Sequence, residues 1–137
     1  MNNYSIAAAF LLASTVSGLA AAQPGMPTQA YKVYHQAAVE ATQLADVAPY
    51  SSAATVAAME AYVPEQRKAI FEMHKDMYEN GKDLMDLNES IDGNSSTVVA
   101  KFCGPNGRMN DVKAILLLEA GMWKVDLVSY ASGASPC

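Results

Sequence analysis

The stretch Asp92-Gly93-Asn94-Ser95-Ser96-Thr97-Val98-Val99-Ala100-Lys101-Phe102-Cys103 is where the chain changes its period. Asp-Gly-Asn makes a tight hairpin turn, because glycine takes the positive φ that such turns require without steric cost. The residues after it alternate: Val98, Ala100 and Phe102 fall on one side, Val99 and Lys101 on the other. That period of two describes a strand with one face turned to a core. Residues 82–91 form its partner across the turn. Gly104-Pro105-Asn106-Gly107 then leads to a third strand, residues 110–119, and Ala120-Gly121 reverses the chain into a fourth, residues 122–130. Four strands with short connections make an antiparallel meander.

Upstream of Gly81 the period is that of helices. From residue 28 to 48, Tyr31, Tyr34, Ala38, Ala41 and Ala45 recur at three- and four-residue spacing, while Lys32, Gln36 and Glu40 lie on the other side. Thr28, after Pro27, is the expected cap. Ser51 or Ser52 starts a short second helix through Ala61, with Val56, Met59 and Val63 inward. Pro64 opens a third at the position proline prefers, with Glu65 suited to the positive helix end. Its expected buried stripe is Ala69 or Ile70, Met73, Met77 and Tyr78, and Asn80-Gly81 is read as a left-handed stop. Helices segregated before strands indicate an α+β domain, three N-terminal helices packed on one face of the sheet.

Residues 1–22 hold none of the chain's 23 charged side chains, of which 14 are acidic and 9 basic. An apolar run from Ile6 to Ala13, small residues after it and Ala20-Ala21-Ala22 before Gln23-Pro24 read as a secretory signal peptide with an Ala-x-Ala cleavage site, although residues 1–5 carry no Lys or Arg. The rival reading is a retained anchor. The run falls short of the ~20 residues that span a bilayer, so no integral membrane span is expected. Export to a periplasmic or secreted location leaves one domain, residues 23–130, and a small-residue tail, residues 131–137. The formal charge of −5 argues against nucleic acid, whose phosphates call for basic stripes.

Cys103 and Cys137 are the two cysteines, and in an oxidising compartment one disulfide tethering the tail is the simplest reading. A free thiol at Cys103 and an intermolecular bond through Cys137 are the alternatives. Met73, His74 and Met77 hold ligand types that suit Cu(I), but the four-residue spacing of the methionines describes core packing. No metal and no cofactor is expected.

Three helices, a proline-led third helix and a final hairpin Leu118-Glu119-Ala120-Gly121-Met122-Trp123-Lys124-Val125 resemble the small exported members of the nuclear transport factor 2-like superfamily. Pro49-Tyr50-Ser51-Ser52 is similar to that family's link between the first two helices. The resemblance, over residues 28–130, implies a cystatin-like cone: a curved sheet wrapped on helices around a cavity for small apolar ligands, with dimerisation through the sheet frequent. It does not by itself imply an activity.

Strand parity assigns the cavity face. Trp123, Val125 and Leu127 share a side, as do Ala114, Leu116 and Leu118, then Val98, Ala100 and Phe102, and finally Met85, Leu87, Ile91 and Glu89. The candidate cavity residues are therefore Tyr31, Tyr34, His35, Met73, Met77, Glu89, Phe102, Leu116, Trp123 and Val125. Glu89 is the one ionisable strand residue among them. The opposite parity gathers Val99, Ile115, Leu117, Val128 and Tyr130 into an outer apolar patch that calls for a cover: a second copy, another exported protein, or the tail drawn over it by a Cys103–Cys137 bridge. The reading is a non-catalytic binding or interaction module. Its alternative is an isomerase, dehydratase or hydrolase using Tyr34, His35 or Glu89 as acid/base groups.

Overall fold

The computed structural model describes residues 25–81 and 83–137, so the proposed leader and its cleavage site lie outside the described residues. Helix α1 (Pro27–Glu40) is followed by a 3-10 helix (Leu44–Tyr50), α2 (Ala53–Ala61) and α3 (Pro64–Asn80), then strands β1 (Met85–Asp92), β2 (Ser95–Cys103), β3 (Arg108–Glu119) and β4 (Met122–Pro136). The strands form one antiparallel sheet in the order β1-β2-β3-β4. The α+β meander is as the alternation predicts. Of the three reversals, β1–β2 and β3–β4 are two-residue turns, with Gly93 at positive φ in one and Ala120 and Gly121 in the other, and the four-residue β2–β3 connection has Gly107 at positive φ.

The helices form where the sequence provides for them, but one start and two ends differ. Pro27 is at the first helical position and Met26 at the cap, so Thr28 lies inside α1. Glu89 of β1 supplies the missing acceptor, its Oε2 taking the Thr28 N–H at 3.0 Å. The helix also stops at Glu40 rather than at residue 48. Asp46 accepts the backbone N–H groups of Thr42 and Gln43, which caps a new 3-10 helix and breaks the old one. The Thr42 amide, with help from Gln43, holds the Asp46 carboxyl below its ordinary range. Gly81 ends α3 at φ −102, outside the left-handed region. Its lack of a side chain serves packing, since a Cβ there would lie 3.2 Å from the Phe102 ring.

Val63, expected on the inward stripe of the second helix, is exposed. Helix α3 is turned from its expected orientation: Met73 is 65% exposed, whereas Phe71 and Tyr78 are buried with His74 half-buried between them. Two aromatic rings seven residues apart bury more area than Ala69 and Met73 would, and the helix rotates accordingly.

The largest correction is in β4. Ile115 pairs with Leu127, yet Leu116 pairs with Val125, so Asp126 is an extra residue on β4: a β-bulge. The bulge exchanges the two faces for everything beyond it. Val128 and Tyr130, expected on the outer face, pack against the core, and Leu127, expected inside, is 55% exposed. The same bulge anchors α2. Ser52, its N-cap, accepts from Thr55 N at 3.2 Å and donates to Asp126 Oδ1 at 2.6 Å; Thr55 Oγ1 donates to the Asp126 carbonyl at 2.9 Å; and Ser52 N donates to Val125 O at 2.8 Å. Glu119 completes the anchor by accepting from Ala53 N at 2.9 Å. A second irregularity, between Met85 and Asn88, puts Asp86 at φ 53 and pairs Met85 with outward Lys101.

Residues expected as a small-residue tail tethered by the disulfide continue β4 as far as Pro136, paired with Arg108 of β3. The tail therefore lengthens the sheet instead of folding over it. Gly133 permits this, because a Cβ there would meet the Met109 carbonyl at 1.9 Å. Cys103 and Cys137 are joined in a disulfide that ties the ends of β2 and β4 across the start of β3.

Removing the cap tests the anchor. Ser52→Ala costs about 2 kcal/mol in urea unfolding, since it deletes an N-cap and strips the Asp126 carboxylate of a charge-assisted partner. Ser135→Ala, at an exposed position, stays within about 0.5 kcal/mol.

Candidate functional site

Seven of the ten candidate cavity residues come together. Tyr31, Tyr34, Phe102, Leu116, Trp123 and Val125 belong to one buried core, and His35 is buried with its ring 6.0 Å from that of Tyr31. Tyr31 and Leu116 are both 0% exposed, so these two side chains are packed on all sides. Met77 is half-buried at the edge of this cluster, on a groove with Asp76, Phe102 and Asn110, and Met73 faces solvent.

Four phenols converge in this core from three elements. Tyr31 and Tyr34 come from α1, Tyr78 from α3, and Tyr130 from β4 by way of the bulge. The Tyr34 and Tyr78 hydroxyls are hydrogen-bonded at 3.2 Å, Tyr31 stacks on Tyr34 at 6.2 Å, and Tyr130 meets Phe102 edge-on at 5.9 Å. Burial raises the pKa of all four above the ordinary phenol value, and for Tyr31, Tyr34 and Tyr130 the neighbouring phenols raise it further. These groups stay neutral at physiological pH and act as packing rings with a polar tip.

Glu89 has the parity expected of it, facing the helices, but its carboxylate holds the first turn of α1. Tyr34 is six residues further along that helix, about 9 Å at 1.5 Å per residue. His74 uses Nδ1–H to donate to the Ile70 carbonyl at 2.8 Å, so that nitrogen is not available to copper. Among the described residues no group of three His, Cys, Asp or Glu side chains is placed to hold a metal ion, and no helix is long and apolar enough to cross a membrane.

The outer sheet face has different members from those the alternation gave. Val99, Ile115 and Leu117 keep their outward parity; Val128 and Tyr130 leave, and Leu127 joins. Thr97, Ile115 and Leu127 stand side by side across β2, β3 and β4, with Val99 (43% exposed) and Leu117 on the adjoining rows. Next to this row is a groove of about 500 Å³ lined by Val99, Lys101, Lys113, Asp86 and Asp111. Two lysines face two aspartates there, and Lys101 is directly opposite Asp111 in register. The face is locally neutral on a chain of net charge −5.

No protein-family model matches the chain, and no curated protein or solved structure matches it.

The core phenols set an alkaline limit. Their folded pKa values exceed the unfolded value of about 10, so their contribution to stability is intact below pH 10 and is lost as pH rises above it. Absorbance near 295 nm will show Tyr31, Tyr34, Tyr78 and Tyr130 ionising together with the loss of circular dichroism. Ionisation of all four while the fold remains intact would contradict this packing.

Proposed function

We propose that the protein is exported and acts by binding rather than by catalysis, presenting the outer face of its sheet to another protein, in the first instance a second copy of itself. The observation that carries this reading is the outer apolar face of the four-stranded sheet, where Val99 and Leu127 are exposed and Ile115 and Leu117 half-buried. Contiguous apolar surface of this kind marks an interaction site. Its balanced lysines and aspartates let a second molecule of the same sign of net charge approach without repulsion, which supports a copy as the partner. The disulfide is compatible with export, since such bonds persist in oxidising compartments. A non-catalytic role fits the use of Glu89 and Glu119 as acceptors for helix N-termini and the burial of the aromatic hydroxyls. We further assign the α+β arrangement to the nuclear transport factor 2-like cone type; three helices preceding a bulged meander support that assignment.

Leu127 is exposed, so Leu127→Asp disturbs the face without entering the core. Sedimentation of the disulfide-bonded protein will show a dimer for the wild type and a monomer for this variant, with unfolding midpoints within a few degrees of each other. A wild-type monomer that also gives no cross-link from a photoreactive side chain at position 127 in the native compartment would refute the reading.

A further inference from the structure

Helix α1 carries an apolar residue where its pattern calls for a polar one. Val33 sits among Gln29, Lys32 and Gln36 and is exposed. Around it the fold collects other exposed apolar side chains: Met26 ahead of the helix, Tyr50 at the end of the 3-10 helix, and Met122 in the β3–β4 hairpin. Trp123 closes the groove between them, whose volume is about 320 Å³. That is the lower end of the range for small-ligand pockets, and two methionines give its walls an adaptable lining.

Charge selects among apolar ligands. On a chain with 14 acidic side chains, no Asp or Glu among the described residues lines this groove, and Lys124 is the one charged residue of that described lining. The Lys124 ammonium donates one hydrogen bond to the Pro49 carbonyl, which fixes its place and leaves two of its three donors for a ligand. We propose that this groove binds a small monomeric amphiphile, an apolar chain ending in a carboxylate, with the chain along Met26, Val33, Tyr50, Met122 and Trp123 and the carboxylate on Lys124. The site shares no residue with the outer sheet row, and its occupancy does not depend on dimerisation.

Trp123 is the single tryptophan, so its fluorescence reports on the groove directly. Titration of the purified protein with monomeric decanoate will change that emission saturably. Val33→Asp, at an exposed position, will weaken binding roughly tenfold or more by setting a like charge in the apolar path. Lys124→Gln will weaken decanoate roughly two- to fivefold, as expected for a partly exposed ion pair, and leave decanol unaffected. No saturable change with decanoate, or equal binding by wild type and Val33→Asp with their unfolding midpoints matched, would overturn the proposal. So would binding to phosphatidylglycerol vesicles in place of the monomer, which would assign the groove to a lipid surface. A fall in oligomer mass on Val33→Asp would likewise overturn it by giving the groove to a second copy.

Discussion

One extra residue in a strand governs which side chains meet in this protein. Asp126 is accommodated between Val125 and Leu127 with no partner on β3, and its carboxylate and carbonyl are taken up by Ser52 and Thr55 at the start of α2. Before the bulge, β4 sends Trp123 and Val125 inward. After it, β4 sends Val128 and Tyr130 inward. Without it the second half of the strand would present Leu127 and Ser129 to the core, and Tyr130 would leave the phenol cluster. The bulge is also what puts Leu127 beside Ile115 on the outer face, so the make-up of that face and of the core follow from the same insertion.

The sheet holds the helices by a repeated device. Glu89 of β1 accepts from the first turn of α1, Glu119 at the end of β3 accepts from the first turn of α2, and Asp126 of β4 takes the α2 cap. A carboxylate at a helix N-terminus answers both the free N–H groups and the positive end of the macrodipole. These acids are thereby committed to docking. What remains for the exterior is a neutral, partly apolar sheet face and, where the β3–β4 hairpin meets α1, a groove whose described lining holds a lysine and no acid.

Much of this was legible from spacing. The hairpin turns, the extent of β2, the proline-led start of α3, the Ser52 cap and the clustering of Tyr31, Tyr34, Phe102, Leu116, Trp123 and Val125 all follow from local rules and period. The inward parity of Glu89 was legible as well, but its role was not, because nothing local says that a helix 61 residues earlier will begin beside it. A bulge has no signature in alternation: the run Val125 to Tyr130 reads equally well with or without it, and only the partner of Asp126, 74 residues away, decides. Phe71 and Tyr78 were visible as aromatic residues seven apart, and Met73 and Met77 offered a competing stripe that local pattern does not rank. Val33 was a readable exception on a polar helix face; the other walls of its groove come from separate elements that only the tertiary fold assembles.

The bulge at Asp126 reverses the facing of β4. Nuclear Overhauser contacts in aromatic- and methyl-labelled protein read that facing residue by residue. Contacts are expected between the rings of Tyr130 and Phe102, whose centroids are 5.9 Å apart, and none between the Leu127 methyl groups and the rings of α1. Contacts from Leu127 to Tyr31 or Tyr34, with Tyr130 seen only beside outward residues such as Lys113, would contradict it.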